Sequence, residues 1–161
     1  SLMRLKMIQD YMQRLQPAKI TGTLSFSKVG GDTNTASLAK AAQAIKNIES
    51  GGGNYNAVGP QTKSGDNAYG AYQVMGANIP SWTKAATGVA MTPQQFLANP
   101  QAQEAVFAYV FGGYIKQYGS PEDAASVWFT GRPISQNNND RDILGTTANS
   151  YVSQFKQHFY S

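Results

Sequence analysis

Glu49 ends an apolar stretch and runs directly into Ser50, three glycines, Asn54 and Tyr55, with the run YGAYQVM following over 69–75. A carboxyl in the last turn of a helix sits near the negative end of the helix dipole. Apolar neighbours add a desolvation cost, and both effects disfavour ionisation. That is the direction a general acid needs.

Other chemistries are poorly supplied. The chain has no cysteine and one histidine, His158, four positions into the C-terminal segment from its end. Thiolate nucleophiles, Cys-ligated zinc and multi-histidine metal sites are excluded, and a Ser/His/Asp triad would rest on a terminal residue. His158 reads as the polar side of a last helix. The oxygen-rich run 137–142 lacks the glycine and terminal glutamate of a calcium loop, so no metal and no cofactor is expected. Carboxylates remain, nine in all, of which Glu104, Glu122 and Asp123 lie on helix starts or faces and look like capping or solvated charges.

Composition narrows the substrate. Charged residues are 14% of the chain against roughly 25% in an average domain. Asn and Gln total 25 against 22 charged residues. Such a surface hydrogen-bonds neutral hydroxyls and N-acetyl groups, which favours a saccharide over a phosphate backbone. The net charge of +4 is scattered, without the basic cluster of a nucleic-acid site, so no nucleic acid is expected. It would also suit an anionic cell-wall polymer. No apolar run spans a bilayer and no signal-peptide pattern is visible in this chain.

Helices must position these groups. Their stop and start signals punctuate an otherwise strand-poor chain, so the expected class is all-α, with few or no short strands around a cleft. Leu5, Ile8, Met12 and Leu15 define a short amphipathic helix over Arg4 to Leu15, followed by a Gly-containing linker with an extended piece at Leu24 to Val29. Residues 1–34 are assigned to this helix and linker, and 35–161 to the catalytic domain. Thr35 or its neighbour should cap a helix with Leu38, Ala41, Ala42, Ile45 and Ile48 inside and Gly51–Gly53 at its end. Thr92–Pro93, Asn99–Pro100 and Ser120–Pro121 start three more helices, Gly131 ends the last of these, and a final helix runs from about Thr147 to Phe159.

The segment from Ile48 to Met75 resembles the signature of soluble lytic transglycosylase domains. That family has a goose-lysozyme-like fold and cleaves the glycan strands of peptidoglycan. Its Glu-Ser pair, following Asn and Gly-x-x-Gln-x-Met run correspond to Glu49 and Ser50, Asn54, and Gly70 to Met75, a run that includes Tyr72. Two later blocks fall in order, Ala124 to Gly131 and Ser150 to Phe155, so the resemblance covers about residues 36 to 158.

The resemblance implies that Glu49 is the single acid/base. It also implies that Asn54, Tyr72, Gln73 and Met75 line the sugar subsites, that Ser50 holds the loop beside the acid, and that Tyr151 approaches the Glu49 carboxyl. Where the family has Ala-Tyr-Asn-Ala-Gly, this chain has Trp128 and Phe129 in place of Tyr and Asn. A sugar can still stack on these aromatics, but an amide contact is lost. A hydrolytic muramidase would need a second carboxylate, for which Asp66 is the best candidate and a turn role the alternative. A glycan-binding or structural module without turnover is a further reading. The expected partner is peptidoglycan, acted on at the cell wall or in the periplasm. The N-terminal segment suggests tethering to a larger bacteriophage virion or secretion assembly.

Overall fold

The computed structural model describes residues 32–136 and 147–161. The expected helix at 4–15, the linker and most of the polar loop before the last helix lie outside these residues. Within them the fold is mainly α, with six helices and one two-stranded sheet.

Helix α1 spans Asp32–Ser50. It starts before Thr35, which is therefore an interior residue and not the cap. Its inward stripe is Leu38, Ala41, Ala44, Ile45 and Glu49, all buried, whereas Ile48 is only half-buried. The helix thus buries its carboxylate more deeply than the neighbouring isoleucine, which packs at the edge of the core.

After the glycines the chain forms a two-stranded antiparallel sheet. Strand β1 (Ala68–Tyr69) pairs with β2 (Val74–Met75), Ala68 opposite Met75 and Tyr69 opposite Val74. A 3-10 turn, Gly76–Asn78, leads into α2, Ile79–Thr87, an element the sequence reading left unassigned.

Local chemistry sets the remaining starts. In α3 (Pro93–Leu97) the Thr92 hydroxyl accepts from the Gln95 amide while the Gln95 side chain accepts from the Thr92 amide, a reciprocal capping box. Asn99, Ser120 and Thr147 cap α4 (Pro100–Tyr118), α5 (Pro121–Thr130) and α6 (Ala148–Phe159) one way only, each side chain accepting from the amide three residues on. Each such cap is worth about 1 kcal/mol.

Helix α4 is the centre of the packing, with buried residues around most of its circumference, from Ala102 and Val106 to Phe111 and Tyr114. Helices α2 and α5 pack against it, and α6 packs against both α1 and α5. The core is aromatic. Trp128 meets Phe107 edge-on at 5.3 Å between ring centroids and also contacts Phe111 and Trp82. The α1–α6 contact matters most for chemistry, because it brings residues about a hundred positions apart onto Glu49.

Candidate active site

Glu49 is buried, only 4% exposed, in the last turn of α1. Tyr151, in the first turn of α6, donates its hydroxyl to Glu49 Oε2 at 2.7 Å. Phe129, near the end of α5, stacks on the Tyr151 ring at 4.4 Å with the planes 4° apart. Three helices therefore hold one carboxyl. Desolvation penalises the charged form, whereas a hydroxyl donor favours it. The Tyr151 hydroxyl gives Oε2 a hydrogen-bond partner inside the protein.

Ser50 ties the following loop down. Its Oγ accepts from the amides of Gly53 and Asn54, at 3.1 and 3.0 Å, and donates to the Ala71 carbonyl at 2.9 Å. This one hydroxyl links the loop after α1 to the hairpin loop between β1 and β2. Gly51, Gly52 and Gly53 have φ of 69°, 132° and 109°, a run that residues with a Cβ adopt only with strain. Asn54 is exposed, and its Oδ1 accepts from the Asn56 amide at 2.9 Å, an Asx turn that points the loop outward.

The hairpin loop Gly70–Gln73 carries the sharpest local strain. Gln73 has φ 56°, the one non-glycine residue with positive φ among the described residues, and is fully buried. Its Nε2 donates to the Gly70 carbonyl at 2.9 Å, while its buried Oε1 has no hydrogen-bond partner among the described residues. A strained backbone with an unsatisfied amide oxygen is costly and is enriched at functional sites.

Several expected sugar contacts are placed elsewhere. Trp128, Met75 and Phe129 have no exposed surface, and Tyr72 almost none. Trp128 is the middle of the aromatic core, and Tyr72 stacks on Phe107 at 4.3 Å with its hydroxyl turned to Glu104. Phe129 faces Tyr151 and supplies a flat wall against the tyrosine ring. These four side chains pack the protein and do not present a face to a ligand. Large aromatics are read as stacking platforms from their type, but their burial here is decided by contacts from other helices.

Asp66 is committed to backbone. Its Oδ1 accepts from the Asn67 amide and its Oδ2 from the Ala77 amide, both at 2.8 Å. A Cβ on Gly76 would come within 2.4 Å of Oδ1, so the carboxylate is packed against the chain it holds. This is the turn role, clamping the start of the 3-10 segment.

No family model, curated protein sequence or solved structure matches the chain. What the chain does must therefore be argued from its own geometry.

That geometry includes two residues to which the sequence reading gave no place in the site. Gln103, buried on α4, accepts from the Ala71 amide at 2.9 Å and donates to the carbonyls of Tyr55 and Phe96, both at 3.0 Å. It presses so closely on Gly70, at φ 85°, that a Cβ there would lie 2.3 Å from its Oε1. Glu104, read from sequence as a solvated or capping charge, instead gathers three donors. Its Oε2 accepts from Lys46 Nζ at 3.0 Å and the Tyr55 hydroxyl at 2.6 Å, and its Oε1 accepts from the Tyr72 hydroxyl at 2.5 Å.

Burial pushes the Glu104 carboxyl up, but the hydrogen bonds from Tyr55, Tyr72 and Lys46, with the lysine charge, outweigh it and hold the group below the ordinary carboxylate range. Burial raises Tyr72, reinforced by its bond to Glu104, and the bond to Glu104 raises Tyr55. Both phenols therefore stay protonated as donors. The signal for Gln103 was present, since a polar residue interrupts the apolar series Val106, Phe107 and Val110 on α4. Nothing local marked Glu104.

Among the described residues no group of three or more His, Asp or Glu side chains is arranged to hold a metal ion, and no helix is long and apolar enough to cross a membrane.

Proposed function

We propose that this chain cleaves the glycan strands of peptidoglycan as a lytic transglycosylase, with Glu49 as the single general acid/base. The observation that carries this reading is the buried Glu49 carboxyl held by the Tyr151 hydroxyl at the point where α1 opens into a glycine loop. The ordered likeness of Glu49–Ser50, Asn54 and Gly70–Met75 to the transglycosylase signature supports it.

The chemistry needs one acid. Protonated Glu49 donates to the glycosidic oxygen between N-acetylmuramic acid and N-acetylglucosamine as the C1–O bond breaks. The N-acetyl carbonyl of the same muramoyl unit stabilises the electron-poor C1, so no enzymic nucleophile is required. The Glu49 carboxylate then removes the proton of the C6 hydroxyl, whose oxygen bonds to C1. The products are a 1,6-anhydro-muramoyl end and a free N-acetylglucosamine end, and Glu49 is again protonated. Tyr151 holds Oε2 throughout and so orients the carboxyl. Asn54, on the exposed loop, is the amide best placed to meet an N-acetyl or hydroxyl group. The reaction uses no metal or cofactor, and it belongs at the cell wall, delivered from a virion, a secretion assembly or by secretion.

The backbone bonds of Asp66 weigh against the hydrolytic alternative, because both carboxylate oxygens already accept amides. A second reading is a structural or glycan-binding domain that keeps Glu49 and Tyr151 without turnover. The burial of Tyr72, Met75, Trp128 and Phe129 favours it. Mass spectrometry of the fragments released from purified peptidoglycan separates the readings.

A further inference from the structure

We infer that Glu104 is a positioning residue: from α4 it latches the Gly51–Asn56 loop beside Glu49 through the Tyr55 hydroxyl. The loop begins with three consecutive glycines at positive φ, residues that lose the most backbone freedom when ordered. Tyr55 is its inward anchor, held at both ends. Its carbonyl accepts from Gln103 Nε2 and its hydroxyl donates to Glu104 Oε2. Asn54 and Asn56, on either side, are exposed.

The same carboxylate reaches α1 and the hairpin loop. Lys46, one turn before Glu49 on α1, places its ammonium 3.0 Å from Glu104 Oε2 and 5.8 and 5.7 Å from the centroids of the Tyr55 and Tyr72 rings. Tyr72 delivers its hydroxyl to the other oxygen. Four segments, α1, the glycine loop, the hairpin loop and α4, thus converge on one side chain, whose hydrogen-bond partners are Lys46, Tyr55 and Tyr72 and not Glu49. Release of Tyr55 would free both flanking asparagines while leaving the Glu49–Tyr151 pair untouched. The consequence for turnover rests on the transglycosylase reading, but the latch itself does not.

The experiment is amide hydrogen exchange on the wild type, Tyr55→Phe and Glu104→Gln, read by peptide mass spectrometry, followed by steady-state kinetics on soluble glycan fragments. The amides of Gly53, Asn54, Asn56 and Ala57 are hydrogen-bonded and have protection to lose. Exchange across 53–57 should quicken by about tenfold in both variants with α4 and α5 unchanged, as for the loss of one bond to a charged group. Glu122→Gln, which removes the charge from the acceptor of a second Tyr–Glu bond of 2.6 Å, from Tyr160, should leave 53–57 unaffected. In kinetics, KM should rise several-fold with kcat changed less, a split that general destabilisation would not give. Unchanged exchange in Tyr55→Phe overturns the latch, and faster exchange with unaltered KM overturns the positioning role. If the wild type releases no glycan, exchange alone decides the latch, and the failure counts against Glu49 and not against Glu104.

Discussion

The Tyr151 hydroxyl reaches Glu49 Oε2 at 2.7 Å across 102 positions of chain, and Phe129 lies flat against the same tyrosine ring. Tyr151→Phe removes the donor and keeps the stack. A hydrogen bond to a charged group is worth about 1.5–3 kcal/mol, which converts to a roughly tenfold to hundredfold loss of rate. Initial rates of peptidoglycan solubilisation, with a thermal melt alongside, check this. An unaltered rate would remove Tyr151 from the mechanism.

Trp128 tests the packing assignment. It and Trp82 are both buried, and Trp128 meets aromatic rings from α2 and α4. Trp128→Ala should cost about 3–5 kcal/mol of stability in chemical denaturation. Intrinsic fluorescence of the native protein should resist acrylamide and should not shift on adding glycan fragments. A shift on glycan addition would return Trp128 to the sugar site.

Asp66 separates the two glycan-cleaving chemistries. Asp66→Asn keeps one acceptor of its two backbone clamps and should lower stability by about 1–2 kcal/mol in denaturant melts, as for the loss of one part-buried hydrogen bond to a charged group. The products should be the same as those of the wild type. If the variant folds but loses activity, or changes its product ends, Asp66 takes part in the reaction.

Glu104 gives a pH dependence with a definite sign. Burial raises its carboxyl, but the donors from Tyr55, Tyr72 and Lys46 bring the net folded value below the unfolded one. Its contribution to stability is therefore full above the unfolded pKa of about 4.3 and is lost as pH falls through the folded value. The stability gap between wild type and Glu104→Gln should be constant near neutrality and shrink on acidification below about pH 4. With 37% of the side chain exposed, that gap should be about 1 kcal/mol. Urea melts from pH 7 to pH 3 measure it, and a gap that widens toward acid would reverse the assignment.

How much was legible follows the range of the interactions. Thr92, Asn99, Ser120 and Thr147 bond to amides three residues on, so a single stretch of sequence announces each helix start. The last-turn position of Glu49 was readable for the same reason. Helix α2 was missed because Asn78, at its cap position, makes no side-chain bond, and Pro80 inside the first turn reads as a breaker. Glu104 was misread because its partners lie 32, 49 and 58 positions away. Trp128 and Phe129 were assigned to sugar from their type, whereas the helices packed around them decide their exposure.

The central claim is that Glu49 donates and recovers one proton while peptidoglycan is cut. Purified peptidoglycan is incubated with the wild type and with Glu49→Gln, and the released muropeptides are identified by mass spectrometry. The account predicts anhydro-muropeptides, one water lighter than reducing ends, from the wild type and none from the variant. Reducing ends, or no release by a folded wild type, would contradict it.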